Sequence, residues 1–183
     1  GRVVSEPSII FINRLTPFNP AKFLGEGWSI WKGPADDDGL SGEEEQDERS
    51  LAITEIDLSK IRFETCLQEG ENRITGEERL KRLKKANHIR LDAKVFQTLW
   101  ENQQLIPERW KEKTNGNTTL IFFDGTILRS PSGRRFSLFL FWDGGEWRWI
   151  CRWLELVRGS DDPLGFAREL NFIPCLYCSL SLR

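Results

Sequence analysis

This chain is short of the residues on which most reaction mechanisms lean: among 183 residues there is one His, one Tyr and no Met. A serine or cysteine relay, or a His-rich metal site, would have to run through His88, and nothing near it completes such a set. Cysteine is scarce too. Of the four present, only Cys175 and Cys178 have ligand spacing. Without a second Cys-x-x-Cys, or the strand-to-helix context of a redox pair, they read as free thiols in a reducing compartment. No Gly-rich phosphate loop occurs. No run nears the roughly 20 apolar residues of a membrane span, and no charged start, apolar run and small-residue cleavage site opens the chain. A cytoplasmic location, no membrane contact and no cofactor or metal are therefore expected.

What is abundant is aromatic surface: eight Trp and twelve Phe in a chain that is otherwise ordinary, 39% hydrophobic and 30% charged. The length suits one domain, or one with a small appendage. A net charge of −2 conceals a segregation, since residues 1–50 hold 5 basic against 10 acidic side chains, residues 51–113 hold 13 against 11, and residues 114–183 hold 8 against 7. With so little net field, binding to phosphates requires a local patch of cations.

Residues 8–13 read as a short buried strand. Asn19 before Pro20 starts a helix that Gly25 closes, and Trp28 and Trp31 anchor an N-terminal arm, residues 1–33. Residues 34–50 set eight acids against Arg49 alone, a density that repels and solvates, so a flexible acidic loop is expected. It fails as an EF-hand starting at Asp36, because Leu40 stands at position five and Ser41 where the turn needs Gly. Residues 51–67 lean to strand. Thr75 and Glu78 form a capping box for a helix with Leu80, Leu83 and Ala86 on its apolar stripe. Asp92 caps a second helix through Val95, Phe96, Leu99 and Trp100, and these two share a core. Pro107 opens a short third helix carrying Trp110. This completes a helical stretch over residues 76–113.

Residues 118–154 change to period two. Asp124-Gly125 reads as a two-residue hairpin turn, with further turns at residues 131–133 and 143–145, so four strands form a meander. Phe136, Leu138, Leu140 and Trp142 alternate with Phe139 and Phe141, which makes that strand apolar on both sides and central. Residues 157–183 form an irregular tail. The expected fold is α+β, a single domain over residues 51–156. In it a central helical hairpin packs on a C-terminal four-stranded antiparallel meander.

Three constellations carry possible function. Trp147, Trp149 and Trp153 share one face of the last meander strand, with Arg148, Arg152 and Arg129 around them. Such a row is either core or an open π platform for a protein, peptide or glycan partner. This binding module is the leading expectation. The alternative is nucleic-acid binding through Arg79, Lys81, Arg82, Lys84 and Lys85 with Lys94, although Glu77 and Glu78 sit at i, i+4 to some of them. A carboxylate-based hydrolase would need Asp124 or Asp143 to converge with Glu146.

Several long phrases are similar to a known pattern: residues 74–84, residues 90–102 with 105–111, and residues 122–129 running on to 142–149. Over residues 5–154 the chain resembles a family of uncharacterised bacterial proteins. That resemblance implies no activity, cofactor or catalytic residue, and from about residue 155 the tail departs from it.

Overall fold

The computed structural model describes residues 8–71, 73–114, 116–155 and, by its backbone, the strand at 175–180. Short-range chemistry places the helices. Asn19 caps α1 (Pro20–Leu24) by accepting the Lys22 amide, and Gly25 ends it at φ 123°. Asp47 caps α2 (Glu48–Leu51). Thr75 Oγ1 accepts the Glu78 amide at 3.0 Å to open α3 (Gly76–Lys85). The reciprocal half of that capping box does not form, because Arg82 at i+4 takes the Glu78 carboxylate at 2.9 Å. Asp92 caps α4 (Ala93–Glu101) through the Lys94 and Val95 amides. Pro107 precedes a 3₁₀ turn, Glu108–Lys111, that buries Trp110.

The strands are β1 (Ile9–Phe11), β2 (Ser29–Ile30), β3 (Glu55–Asp57), β4 (Ile61–Thr65), β5 (Ile89–Arg90), β6 (Leu120–Arg129), β7 (Arg135–Asp143), β8 (Glu146–Trp153) and β9 (Cys175–Leu180). β1 and β3 make a small antiparallel sheet. The main sheet runs β4-β9-β6-β7-β8, with β2 beside β6 and β5 beside β9. The fold is α+β with antiparallel sheets, and β2-β6-β7-β8 are its four successive antiparallel neighbours. The fourth of these strands comes from the N-terminal arm. The tail departs from the irregular course expected of it at β9, which lies between β4 and β6 and runs parallel to β6.

Period two sorts the core onto the two faces of the sheet. Ile121, Phe123, Leu138, Leu140 and Trp147 pack with α4, β1 and β3, while Leu120, Phe122, Phe139 and Phe141 pack with Leu83 of α3. The two helices therefore do not share a core. The loop ending at β5 carries the chain from one face to the other, and β7, apolar on both sides, lies between β6 and β8 as its alternation requires.

The hairpin turn expected at Asp124-Gly125 is not there. β6 passes through both residues without reversing, and the register to β7 jumps between Phe123 and Leu128. Across this bulge the strand changes partners. Gly125 N–H donates to Leu91 O at 2.9 Å, Asp47 N–H to Gly125 O at 2.8 Å, and Ile127 N–H to Glu45 O at 3.0 Å. Glycine serves here for close backbone approach, since a Cβ would lie 2.2 Å from Arg90 O and 2.5 Å from the Leu91 carbonyl carbon. Asp-Gly suits a tight turn and a buried bulge equally. The segments that convert one into the other lie more than 30 residues upstream, beyond any local pattern.

The contact makes a test. Gly125→Ala forces two backbones apart and is expected to cost about 3 kcal/mol, read as a fall of roughly 1–2 M in urea midpoint. An unchanged midpoint would refute the crossing of β6 over Leu91.

Candidate functional site

The aromatic row belongs to the core. Trp147 is 5% exposed, and Trp149 is ringed by Phe23 at 4.9 Å, Phe96 at 6.0 Å and Trp100 at 6.5 Å. Trp153 is half-buried beneath the Arg134 guanidinium, 4.5 Å from its ring centroid. No open platform results: α1 and α4 cover Trp149, Trp147 is buried against Trp142, and Arg134 lies over Trp153. Arg148 points to solvent with Asp143 at 3.9 Å and Glu146 at 3.0 Å. Arg152 is half-buried and engaged. Arg129 donates to the Asp38 and Ser130 carbonyls.

The basic helix is divided in the same way. Arg79 is turned inward at 1% exposure and is closed to any phosphate. Arg82 holds Glu71 and Glu78, which pulls the Glu71 carboxyl down to about 2. Lys84 pairs with Glu45 at 2.9 Å, and Lys94 is half-buried on α4, across the sheet from α3. Lys81 and Lys85 remain exposed. The six cations do not form one patch.

Of the carboxylates of the hydrolase reading, Asp143 and Glu146 are cross-strand partners on the solvent-exposed β7–β8 turn and share Arg148, whereas Asp124 is enclosed away from both. Its carboxylate accepts Arg79 Nε at 3.0 Å, Arg79 Nη2 at 2.9 Å and Ser137 Oγ at 2.5 Å. The Arg79 guanidinium carbon lies 3.8 Å from the Phe122 ring centroid, and Arg90 Nη1 donates to Asp124 O.

Ion pairs also engage the acidic segment. Glu45 accepts two bonds from Arg135, which also holds Glu77, and Asp47 accepts Arg49 and the Arg90 amide. Residues 45–50 are thus built into the structure by cations from three other elements, unlike the solvated loop expected there. Burial opposes the charge on Glu45, but Arg135 and Lys84 outweigh it and hold the carboxyl below its ordinary value. Asp47 and Asp92 behave alike, through Arg49 and Arg90 and through Arg14 and Ser50 respectively. A recess of about 460 Å³ beside α3 is lined by Glu77, Glu78, Lys81, Lys84 and Arg135, several of which neutralise one another. Among the described residues no cluster of His, Cys, Asp and Glu could hold a metal. The side chains of Cys175 and Cys178 lie outside the described residues.

What remains open is β1. Ile10 and Ile12 face the core at 2% and 4% exposure, while Ile9, Phe11 and Leu15 are 39%, 73% and 95% exposed. Leu58 N–H donates to Ser8 O, and Ile12 N–H to Thr54 O. The intervening Ile9 and Phe11 main-chain groups therefore point away from β3, the sole ladder partner of β1 among the described residues. Arg14 fixes this edge in place by donating to both Asp92 oxygens at 2.9 Å and to the Ser50 and Ile53 carbonyls. In the sequence, residues 8–13 read as a short buried strand; the run Ile9–Ile12 is apolar throughout and carries no alternation, and it is the pairing with β3 that turns Ile9 and Phe11 outward. No family model, curated protein or solved structure matches the chain, so these groups are read on their own chemistry.

Two tests address the charged interior. Asp124→Asn leaves Arg79 buried without its counter-charge and is expected to lose about 3–5 kcal/mol, whereas the Arg79→Met, Asp124→Leu pair loses less than either single change. Additive losses in urea unfolding would show that the two residues act independently. The lowered Glu45, Asp47 and Asp92 values mean that the unfolded chain takes up protons first. Their stabilisation is complete above the ordinary carboxylate values of 3.8 and 4.5 and disappears as pH falls through the lower folded values. The urea midpoint should hold from neutral pH to about pH 5 and drop below about pH 4, with a shallower drop in Asp92→Asn. Equal slopes in the two proteins would contradict the assignment.

Proposed function

We propose that the protein is a non-catalytic interaction module that takes up a partner along the open edge and outer face of β1. The exposure of Ile9 and Phe11 beside main-chain groups that have no partner among the described residues carries this reading. An edge with free N–H and C=O groups is a template for another strand, and protection of such edges normally relies on charge. Here Arg14 is the one charged residue between positions 8 and 15, and it is turned inward onto Asp92. The fate of the other candidate groups supports the same reading. Trp147 and Trp149 pack the core, the basic helix is partly neutralised, Asp124 is locked to Arg79, and Asp143 and Glu146 share Arg148 on an exposed turn.

Selection of displayed random peptides tests this directly. Peptides enriched on the wild-type chain should be lost on Phe11→Asp, a change at a 73% exposed side chain that leaves the urea midpoint in place. Equal enrichment on both proteins would remove β1 as the contact surface.

A further inference from the structure

We propose that the segment taken up at β1 is an extended polypeptide stretch bearing apolar and basic side chains, an inference that rests on the docking reading above and adds the partner's chemistry. Cross-strand pairing on the exposed face carries it. Ile9 stands opposite Asp57 and Phe11 opposite Glu55, so an apolar row on the edge strand is backed by an acidic row on its neighbour. Leu15, four residues beyond β1, is 95% exposed. Glu55 is exposed without an ion-pair partner among the described residues. Asp57 Oδ1 accepts the Ser59 amide at 3.0 Å and the Ser59 hydroxyl at 2.6 Å, and its ion-pair partner among the described residues is Lys60 at 4.0 Å, a side chain itself 78% exposed.

A strand added to β1 lies about 4.8 Å beyond it, which puts β3 roughly 10 Å from the newcomer. Its near-face side chains rest on Ile9 and Phe11. A Lys or Arg there lays its hydrocarbon stem along the Phe11 ring and carries its charge across to Glu55, combining cation–π attraction with an ion pair. An acidic segment would meet Glu55 and Asp57 with like charge. The −5 sum over residues 1–50 favours approach of a cation in the same sense. Proline-rich segments lack the N–H donors that the Ile9 and Phe11 carbonyls require. A second copy of this chain offers an uncharged β1 and a further Glu55, so it covers the apolar row and leaves both acidic rows unmatched.

Short peptides alternating Lys–Val, Ser–Val and Glu–Val, titrated into the isotopically labelled full chain at low salt, test the inference through amide shifts and hydrogen exchange. The Lys–Val peptide should saturate and protect the Ile9 and Phe11 amides, with Ser–Val several-fold weaker and Glu–Val weakest. Glu55→Lys should reverse the order of Lys–Val and Glu–Val while protection at Ile9 and Phe11 persists. Equal binding of all three peptides, with protection at those amides, overturns the basic-partner inference and leaves the edge as the docking site. Lys–Val binding that shifts residues 36–44 and not β1 overturns both. A concentration-dependent dimer of the free chain that Phe11→Asp dissociates would assign the edge to a second copy, and the inference falls there too.

Discussion

The fold turns on a single buried ion pair, Arg79 with Asp124, each side chain 2% exposed. Enclosing both charges is costly, and the geometry offsets that cost with two parallel N–H···O bonds, the Ser137 hydroxyl and the face of Phe122. Removing either partner would leave the other a buried, uncompensated charge. The pair fixes α3 against the sheet at the point where β6 leaves β7. The detour it fills is then lined by Glu45, Asp47 and Leu91, whose backbones take over the pairing. In this way one contact sets the register of β6, the position of α3 and the path of the acidic segment.

A second charged hub does comparable work on the opposite face. Asp92 caps α4 with one oxygen while it accepts Arg14 and Ser50. It therefore joins a helix start, the short α2 and the end of β1. Aromatic packing fills the space between: Phe96 touches Phe23, Phe123 and Trp149. The abundance of Trp and Phe in a chain without Met follows from this arrangement, because a sheet covered on both faces by short helices needs large side chains to fill the gaps.

Much of the local structure was legible in the residues. Asn19, Thr75, Asp92 and Pro107 mark helix starts where they occur, since a cap depends on neighbours three residues away. The alternation around Phe139 identified β7 as central for the same reason. Illegible features were those decided over long separations. Asp124-Gly125 carries the local marks of a turn, and only Arg79, Leu91 and Asp47 make it a bulge. Arg79 looks like its cationic neighbours on α3, yet its helical position aims it at Asp124. Glu45 and Asp47 look like the rest of an acidic run, and they differ only in the arginines that the fold brings to them. The Trp row was readable as core or platform, a choice that depended on whether α4 crossed it.

Charge accounts for both the stability of this molecule and its exposed edge. Arg14, Arg49, Arg79, Arg82, Arg90, Arg109, Arg129 and Arg135 are each held by a carboxylate or a carbonyl, so the described surface gains few strong cationic patches from them. Arg14, three residues beyond β1, is held in the same way by Asp92, and β1 itself carries no charged side chain. A chain that needed β1 only as a cover for Ile10 and Ile12 could carry Lys or Thr at positions 9 and 11, because side chains on the outer face contribute nothing to the core. Ile and Phe stand there instead, opposite Asp57 and Glu55, and join no core cluster among the described residues. The docking proposal accounts for this row by a partner that covers it and brings positive charge to its acidic neighbours.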